Sequence, residues 1–189
     1  GEAIAILAGD ALQAMAFEQL TKFDKVSPKT SLQLIACLAK AAGADGMVKG
    51  QVIDISSVNQ TLTLEELELM HHKKTGAMIH ASIMMSALSA GLSNPSELTA
   101  LNAYGLSIGL AFQVQDDILD VVGNTQAIGK IAGADEALNK ATYVQLLGLD
   151  GAREKATQLH TSAINALSVF DENAQHLREI ADYIISRKH

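Results

Sequence analysis

Apolar residues recur every three or four positions along most of this chain, which is the spacing of one face of an α-helix. The first such run covers residues 3–23, and a second begins at Ser27-Pro28 and reaches about residue 42. Serine often caps a helix and proline suits the first helical turn, so this pair is typical of a helix start. Thr63 with Glu66 three residues later has the pattern of a capping box, which predicts a helix that runs to about residue 90.

The remaining segments also favour helices. The glycine-rich residues 43–50 continue into residues 51–57 and predict a broken or closely packed helix. Asn94-Pro95 opens a helix that we expect to reach Val122, and two further helices are expected at about residues 150–169 and 172–186. Abundant alanine and leucine with only two prolines favour long helices over a sheet. We therefore predict an all-α fold in a single helical domain over residues 1–189.

Composition limits the partners of this chain. The net charge is −7 and no basic cluster is present, so nucleic acid is not expected as a partner. No apolar stretch is long enough to predict a transmembrane helix. Cys37 is the one cysteine and lies in an apolar run, so we interpret it as a small core residue in a reducing, cytoplasmic compartment. A small anion would be repelled by the average charge, so its binding would need local lysines or a bridging metal.

The segment from Phe112 to Asp120 carries the most distinctive chemistry. On a helix Gln113, Asp116, Asp117 and Asp120 fall on one side, because residues three and four apart are neighbours. Clustered carboxylates repel one another unless solvent or a cation neutralises them. Mg²⁺ prefers a few carboxylates together with waters and phosphate oxygens, so these residues are candidate magnesium ligands. The alternative is a solvated acidic helix end.

Lysines supply the complementary charge in two places. Lys74-Thr75-Gly76 lies within an otherwise helical segment, where glycine predicts a kink with freed backbone groups. Lys130 and Lys140 lie in the irregular stretch after the aspartates and could fold over a metal-bound anion. Each feature alone is also compatible with surface lysines.

The order and spacing of these motifs resemble the trans-prenyl diphosphate synthase family, and most of all its bacterial farnesyl diphosphate synthase type. The resemblance extends over essentially the whole chain. It rests on five motifs in order: Gly9-Asp10-Ala11-Leu12, Gly50-Gln51-Val52-Ile53-Asp54, Lys74-Thr75-Gly76, the Phe112–Asp120 segment, and the Lys130 and Lys140 loop.

This resemblance implies a fold and an activity. The fold would be an antiparallel helix bundle around a central cavity, usually in a homodimer. The activity would be a prenyltransferase reaction of isoprenoid biosynthesis that joins an allylic diphosphate (dimethylallyl or geranyl) to isopentenyl diphosphate, with Mg²⁺ as the cofactor. Farnesyl diphosphate is the product we expect from overall resemblance.

The resemblance also implies a role for each candidate site residue. The metal ligands would be Asp116, Asp117 and Asp120, of which Asp116 is the favoured direct ligand. The residues that bind substrate would be Lys74, Thr75, Phe112, Gln113, Lys130 and Lys140. Asp54 and Asp135 would orient lysines or metal-bound waters. The residues closest to the chemistry would be Lys74, Gln113, Asp116 and Asp117.

Two motifs that the resemblance implies are absent from the 189 residues. These are a first aspartate-rich motif followed by paired arginines, and a basic motif that grips isopentenyl diphosphate. We therefore expect that the chain is the C-terminal part of a synthase whose N-terminal helices are missing, and that it is inactive by itself. The alternative is a non-catalytic helical paralogue or a regulatory subunit of such a synthase. A terpene cyclase is disfavoured because the lysine motifs accompany the aspartates.

Overall fold

The computed structural model describes residues 1–122 and 140–187, and within them every regular element is helical. This confirms the predicted all-α fold class. The α-helices are α1 (Glu2–Thr21), α2 (Pro28–Ala42), α3 (Met47–Ser56), α4 (Leu64–His71), α5 (Ala77–Ser89), α6 (Pro95–Val122), α7 (Tyr143–Ala166) and α8 (Gln175–Ser186). Two short 3₁₀ turns, Leu167–Val169 and Glu172–Ala174, connect α7 to α8.

The structure confirms two helix starts that capping signals in the sequence predicted. The Ser27 hydroxyl accepts a hydrogen bond from the Thr30 backbone N–H at 3.1 Å, with Pro28 in the first turn of α2. At α4 the Thr63 hydroxyl accepts from the Glu66 N–H, and the Glu66 carboxylate accepts in return from the Thr63 N–H at 2.9 Å. These bonds satisfy backbone donors that the first helical turn would otherwise leave unpaired.

The predicted kink between α4 and α5 is a single π-helical turn, His72–Gly76. In a π turn the backbone hydrogen bond joins residues five apart rather than four, so the turn inserts one extra residue and rotates the side chains that follow. Such turns occur frequently at functional sites. Here the turn contains both Lys74 and Thr75. Their side chains therefore point in a different direction from the one that an unbroken α-helix would give them.

One helix start differs from the prediction. The structure begins α7 at Tyr143, seven residues before the predicted start at Asp150. The Thr142 hydroxyl caps this early turn by accepting from the Gln145 N–H at 3.2 Å. Gly148 then leaves the helical conformation, with φ 72° and ψ 166°, and the segment the sequence predicted is the part that follows it. Positive φ is accessible to glycine at little cost, which explains why the interruption lies there.

Helix α6 lies at the centre of the hydrophobic core. Its Tyr104 and Ile108 pack with Leu167 and Ile184 from the C-terminal region, and its Val114 packs in a second cluster. That second cluster is formed with Leu67, Met70, Ile118 and Tyr143. Because α6 contacts both clusters along its length, its polar residues have fixed positions relative to α4, α7 and α8.

Helix α1 contrasts with α6 because none of its residues is buried. Several of its large apolar side chains are exposed, among them Ile4, Leu7 and Leu12. In the described part of the chain no helix is both long and apolar enough to cross a membrane.

Two glycines bring the π turn close to its neighbours. A Cβ at Gly50 of α3 would lie 2.1 Å from the Lys74 backbone nitrogen. A Cβ at Gly109 of α6 would lie 2.9 Å from the Gly76 Cα. The π turn is therefore clamped between α3 and α6 by direct backbone packing, which only glycine allows at this distance.

We expect Gly50→Ala to destabilise the fold by at least about 2 kcal/mol, because the new methyl group must displace backbone atoms at Lys74. Gly9→Ala in α1 is the matched control. Its Cβ would meet no atom within 4 Å, so it should leave stability unchanged or raise it by up to about 1 kcal/mol. Urea unfolding of the three proteins measures the difference, and equal effects of both substitutions would contradict the clamp.

Candidate functional site

Six of the candidate residues converge on one cavity of about 190 Å³ between α3, α6 and the junction of α4 with the π turn. The chain just before α7 closes it. Its lining is mostly polar and contains Asp54, Met70, His71, Lys74, Gln113, Asp116, Asp117, Lys140, Ala141 and Thr142. The cavity thus collects carboxylates and lysines from four separate parts of the sequence.

The Asp54 carboxylate is the acceptor for both lysines in this cavity. Its Oδ2 atom accepts a hydrogen bond from Lys74 Nζ at 2.7 Å and another from Lys140 Nζ at 3.2 Å. Asp54 is only 8% exposed, and Gly50, one turn earlier in α3, is the residue in contact with the π turn. Burial tends to raise the pKa of Asp54, but the hydrogen bonds and charges of the two lysines outweigh it and lower that pKa.

The three aspartates of α6 have different surroundings. Asp117 is 6% exposed, and its Oδ2 accepts a hydrogen bond from the Tyr143 backbone N–H at 2.8 Å. Asp116 is more accessible, and its Oδ1 lies 3.4 Å from an Arg187 guanidinium nitrogen. Asp120 is half-buried one turn further along α6. Asp117 therefore secures the start of α7, whereas Asp116 and Asp120 lie along one edge of α6.

The donor set of this edge suits a hard divalent cation. No group of three or more His, Cys, Asp or Glu side chains within residues 1–122 and 140–187 is arranged to hold a metal ion. Mg²⁺ does not require such a group, because it keeps several waters and takes one or two carboxylates together with substrate phosphate oxygens. The carboxylates of Asp116 and Asp120 fit that pattern.

Phe112 and Arg187 form a contact on the other side of Asp116. The Arg187 guanidinium carbon lies 4.2 Å from the centre of the Phe112 ring, in a cation–π arrangement. Arg187 also donates a hydrogen bond to the Phe112 carbonyl oxygen at 3.2 Å. The end of α8 is thereby attached to the aspartate-bearing part of α6.

The remaining predicted site residues are distributed as follows. Thr75 lies in the π turn and is half-buried. In the described part of the chain the cavity lining does not include Thr75, Phe112 or Asp120. Lys130 and Asp135 lie outside the described residues.

His71 and Arg187 are the site residues that sequence reasoning missed. His71 lines the cavity, with its Nδ1 atom 3.0 Å from the Gln113 side-chain oxygen. A signal was available, because His71 precedes Lys74 by three residues and so shares its side of a helix. No local signal marks Arg187, whose partners lie 71 and 75 residues earlier in the sequence.

Comparison with known proteins gives a consistent set of matches. The family model described as Polyprenyl synthetase matches residues 1–184. The farnesyl diphosphate synthase of Escherichia coli (strain K12) is 48% identical over 192 residues, which cover 99% of this chain and 64% of that relative. The farnesyl diphosphate synthase of Geobacillus stearothermophilus is 43% identical, with coverage of 100% and 64%. The chain thus spans about 64% of the length of these curated relatives.

A solved structure agrees with these matches. The geranyltransferase of Helicobacter pylori, described as complexed with magnesium and isoprenyl diphosphate, is 34% identical with a TM-score of 0.84. The match covers 97% of this chain and 60% of that protein.

The stability of the fold should depend on pH through His71. Burial lowers the pKa of His71 from 6.5 to about 4, so between these values the unfolded chain binds more protons than the folded one. The free energy of unfolding should therefore fall as the pH falls from 6.5 to 4, by up to about 3 kcal/mol. Urea unfolding across this range measures the change.

His71→Phe should flatten this dependence, because the substituted side chain does not titrate. His176→Asn is the control for loss of an exposed histidine, since that side chain is 91% exposed and should change the slope much less than His71→Phe does. An unchanged slope in His71→Phe would contradict the buried neutral state of His71.

Proposed function

Because the chain belongs to the polyprenyl synthetase family, we propose that this protein is a prenyltransferase that joins an allylic diphosphate to isopentenyl diphosphate. The family match covers nearly the whole chain, and curated relatives at 43–48% identity are farnesyl diphosphate synthases. We propose dimethylallyl or geranyl diphosphate as the allylic substrate and farnesyl diphosphate as the product.

The observation that carries this proposal is the pair of lysines held by Asp54. Lys74 and Lys140 converge on one buried carboxylate beside Asp116 and Asp117. Each lysine ammonium has three N–H donors, of which Asp54 takes one, and a divalent cation would offset the Asp116 and Asp117 carboxylates in the same cavity. Because Asp54 already holds both lysine side chains, they would lose little conformational entropy when they bind a diphosphate in the cavity.

The reaction needs such donors at the leaving group. Cleavage of the allylic C–O bond produces a diphosphate anion and an allylic carbocation. The double bond of isopentenyl diphosphate then attacks the cation to form the new C–C bond, and loss of a proton to the departed diphosphate restores a double bond. Lys74 and Lys140 would stabilise the negative charge that develops as the C–O bond breaks.

We further propose that the reaction is magnesium dependent. The oxygen donors of Asp116, Asp117 and Asp120 would hold the metal together with diphosphate oxygens, and the bound metal would supply further positive charge to the leaving group. The description of the Helicobacter pylori relative as a complex with magnesium and isoprenyl diphosphate supports this choice of metal.

A homodimer is the assembly that the family resemblance implies, and we retain it as a proposal. The exposed apolar side chains along α1 support it, because a surface of that kind is typical of a contact with another chain.

Simultaneous replacement of Asp116 and Asp120 by alanine, with Asp117 kept because it secures the start of α7, should weaken binding of geranyl diphosphate in the presence of Mg²⁺ by at least about 100-fold. The physical reason is that metal and anion bind together, and the substitutions remove the carboxylates that hold the metal. Titration calorimetry with the polypeptide encoded by the complete gene measures the affinity.

The matched control replaces Asp24 and Asp45, which are exposed, and removes the same charge elsewhere. This variant should bind geranyl diphosphate as the unsubstituted protein does. If the site variant did so too, the proposed metal site would be wrong.

The 189-residue polypeptide by itself should show little or no condensation. It contains one aspartate-rich motif, whereas the family resemblance implies two that face each other across the cavity. An assay with dimethylallyl diphosphate, isopentenyl diphosphate and Mg²⁺, analysed for prenyl products, tests this expectation. Robust turnover would show that the second motif is not required.

A further inference from the structure

His71 is a buried polar residue that the proposed chemistry does not use. It is 7% exposed, it ends α4 immediately before the π turn, and it lines the same cavity as Lys74 and Asp116. A polar side chain buried at this depth has a substantial desolvation cost, which its contacts must offset. Its contacts therefore indicate what the residue does.

The main contact of His71 joins it to Gln113 of α6. The Nδ1 atom of His71 lies 3.0 Å from Oε1 of Gln113, and 42 residues separate the two in sequence. An amide oxygen only accepts hydrogen bonds, so Nδ1 carries the proton and donates it.

The position of the ring is fixed by a stack on one face and by the hydrogen bond at its edge. The His71 ring stacks on the Tyr143 ring, with centroids 5.6 Å apart and planes at 17°. Tyr143 is fully buried, and its backbone N–H is held by Asp117. The Nε2 atom of His71 lies 3.9 Å from Asp117 Oδ2 and has no hydrogen-bond partner among the described residues. The Nδ1–H is therefore the only polar group of His71 that is satisfied, and Gln113 receives it.

The bond to His71 determines which end of the Gln113 amide is available. A primary amide is planar, with its oxygen and its NH₂ group on opposite sides. Since His71 holds the oxygen, the NH₂ group is the end that remains for a ligand, and no described residue accepts a hydrogen bond from it. Gln113 itself lines the cavity that contains Lys74 and Lys140.

We propose that His71 is a positioning residue, whose Nδ1–H holds the Gln113 carbonyl so that the Gln113 NH₂ group donates a hydrogen bond to the diphosphate of the allylic substrate. This proposal rests on the proposed function for its ligand. Without the histidine, the amide is free to rotate and to present its oxygen, which repels an anion.

A second histidine–amide pair that also involves α6 provides a comparison within the same protein. His80 of α5 lies 2.8 Å from the side-chain oxygen of Asn102 in α6. This pair is exposed, whereas the His71–Gln113 pair is buried, and neither of its residues lines the cavity. The His80–Asn102 bond joins α5 to α6 much as the His71–Gln113 bond joins α4 to α6, but it lies away from the cavity. His80→Phe therefore measures the purely structural effect of losing such a bond.

The first test reads the tautomer of His71 directly. In the ¹⁵N-labelled 189-residue chain near pH 7, imidazole nitrogen shifts should show a neutral ring protonated at Nδ1. Gln113→Leu should remove the acceptor and shift the ring toward the Nε2-protonated tautomer that free imidazole side chains prefer. A ring protonated at Nε2 in the unsubstituted chain would overturn the proposal, and this readout does not depend on any enzymatic activity.

The second test uses steady-state kinetics of the polypeptide encoded by the complete gene. His71→Phe retains the flat ring against Tyr143 but loses the donor, so kcat/KM for geranyl diphosphate should fall about tenfold. The KM for isopentenyl diphosphate should stay within about twofold. His71→Asn places an amide N–H at the position of Nδ1 and should restore activity to within about threefold. His71→Gln places its amide N–H near the position of Nε2 instead and should not restore activity.

A double substitution establishes whether His71 acts through Gln113. In the Gln113→Leu background, His71→Phe should cause no further loss of kcat/KM, because the amide that it positions is gone. His80→Phe should leave both substrate parameters unchanged. Independent, additive losses, or an equal loss in His71→Asn and His71→Phe, would overturn the proposal. Absence of turnover in the unsubstituted polypeptide would instead contradict the proposed function, while the tautomer measurement would still test the positioning role.

Discussion

The arrangement of this site depends on one buried carboxylate that neutralises two lysines. Asp54 draws Lys74 from the π turn and Lys140 from the segment before α7 to a single point. Without that anion the two cations would repel each other in a partly desolvated space, and neither would have a fixed position. The approach of α3 to the π turn, which a side chain at Gly50 would block, makes these bonds possible. Backbone packing and electrostatics therefore support the same geometry.

The π turn connects this charge arrangement to the central helix. It lies against α3 at Gly50 and against α6 at Gly109, so it cannot shift without disturbing both neighbours. Its extra residue lets Lys74 bond to Asp54 of α3 while the preceding His71 bonds to Gln113 of α6. An unbroken α-helix would hold these two side chains closer to the same direction. The π turn thus allows adjacent parts of one helix to form hydrogen bonds with both α3 and α6.

The carboxylates of α6 show how burial separates residues that look equivalent in sequence. Asp117 is buried and accepts a hydrogen bond from the first backbone amide of α7. It therefore fixes the position of Tyr143, whose ring stacks on that of His71. Asp116 lies toward the cavity and toward Arg187 at the end of α8. A cation attracted to this edge would therefore be placed by a helix whose neighbours are already fixed. The acidic overall charge of the chain makes such local placement necessary for any anionic ligand.

The sequence by itself determined the helical character of the chain and several helix limits, though not the start of α7, because caps, prolines and apolar spacing act over a few residues. Ser27, Thr63 and Pro95 marked starts that the structure has, and Thr75-Gly76 marked the break between α4 and α5. It also indicated the residue types of the site through the order of its motifs. Only the tertiary structure decided which side chains meet: His71 with Gln113, Arg187 with Asp116, and Asp117 with the amide of Tyr143. Those pairs are separated by 26 to 71 residues, and their contacts follow from how helices pack, a property that no local pattern contains.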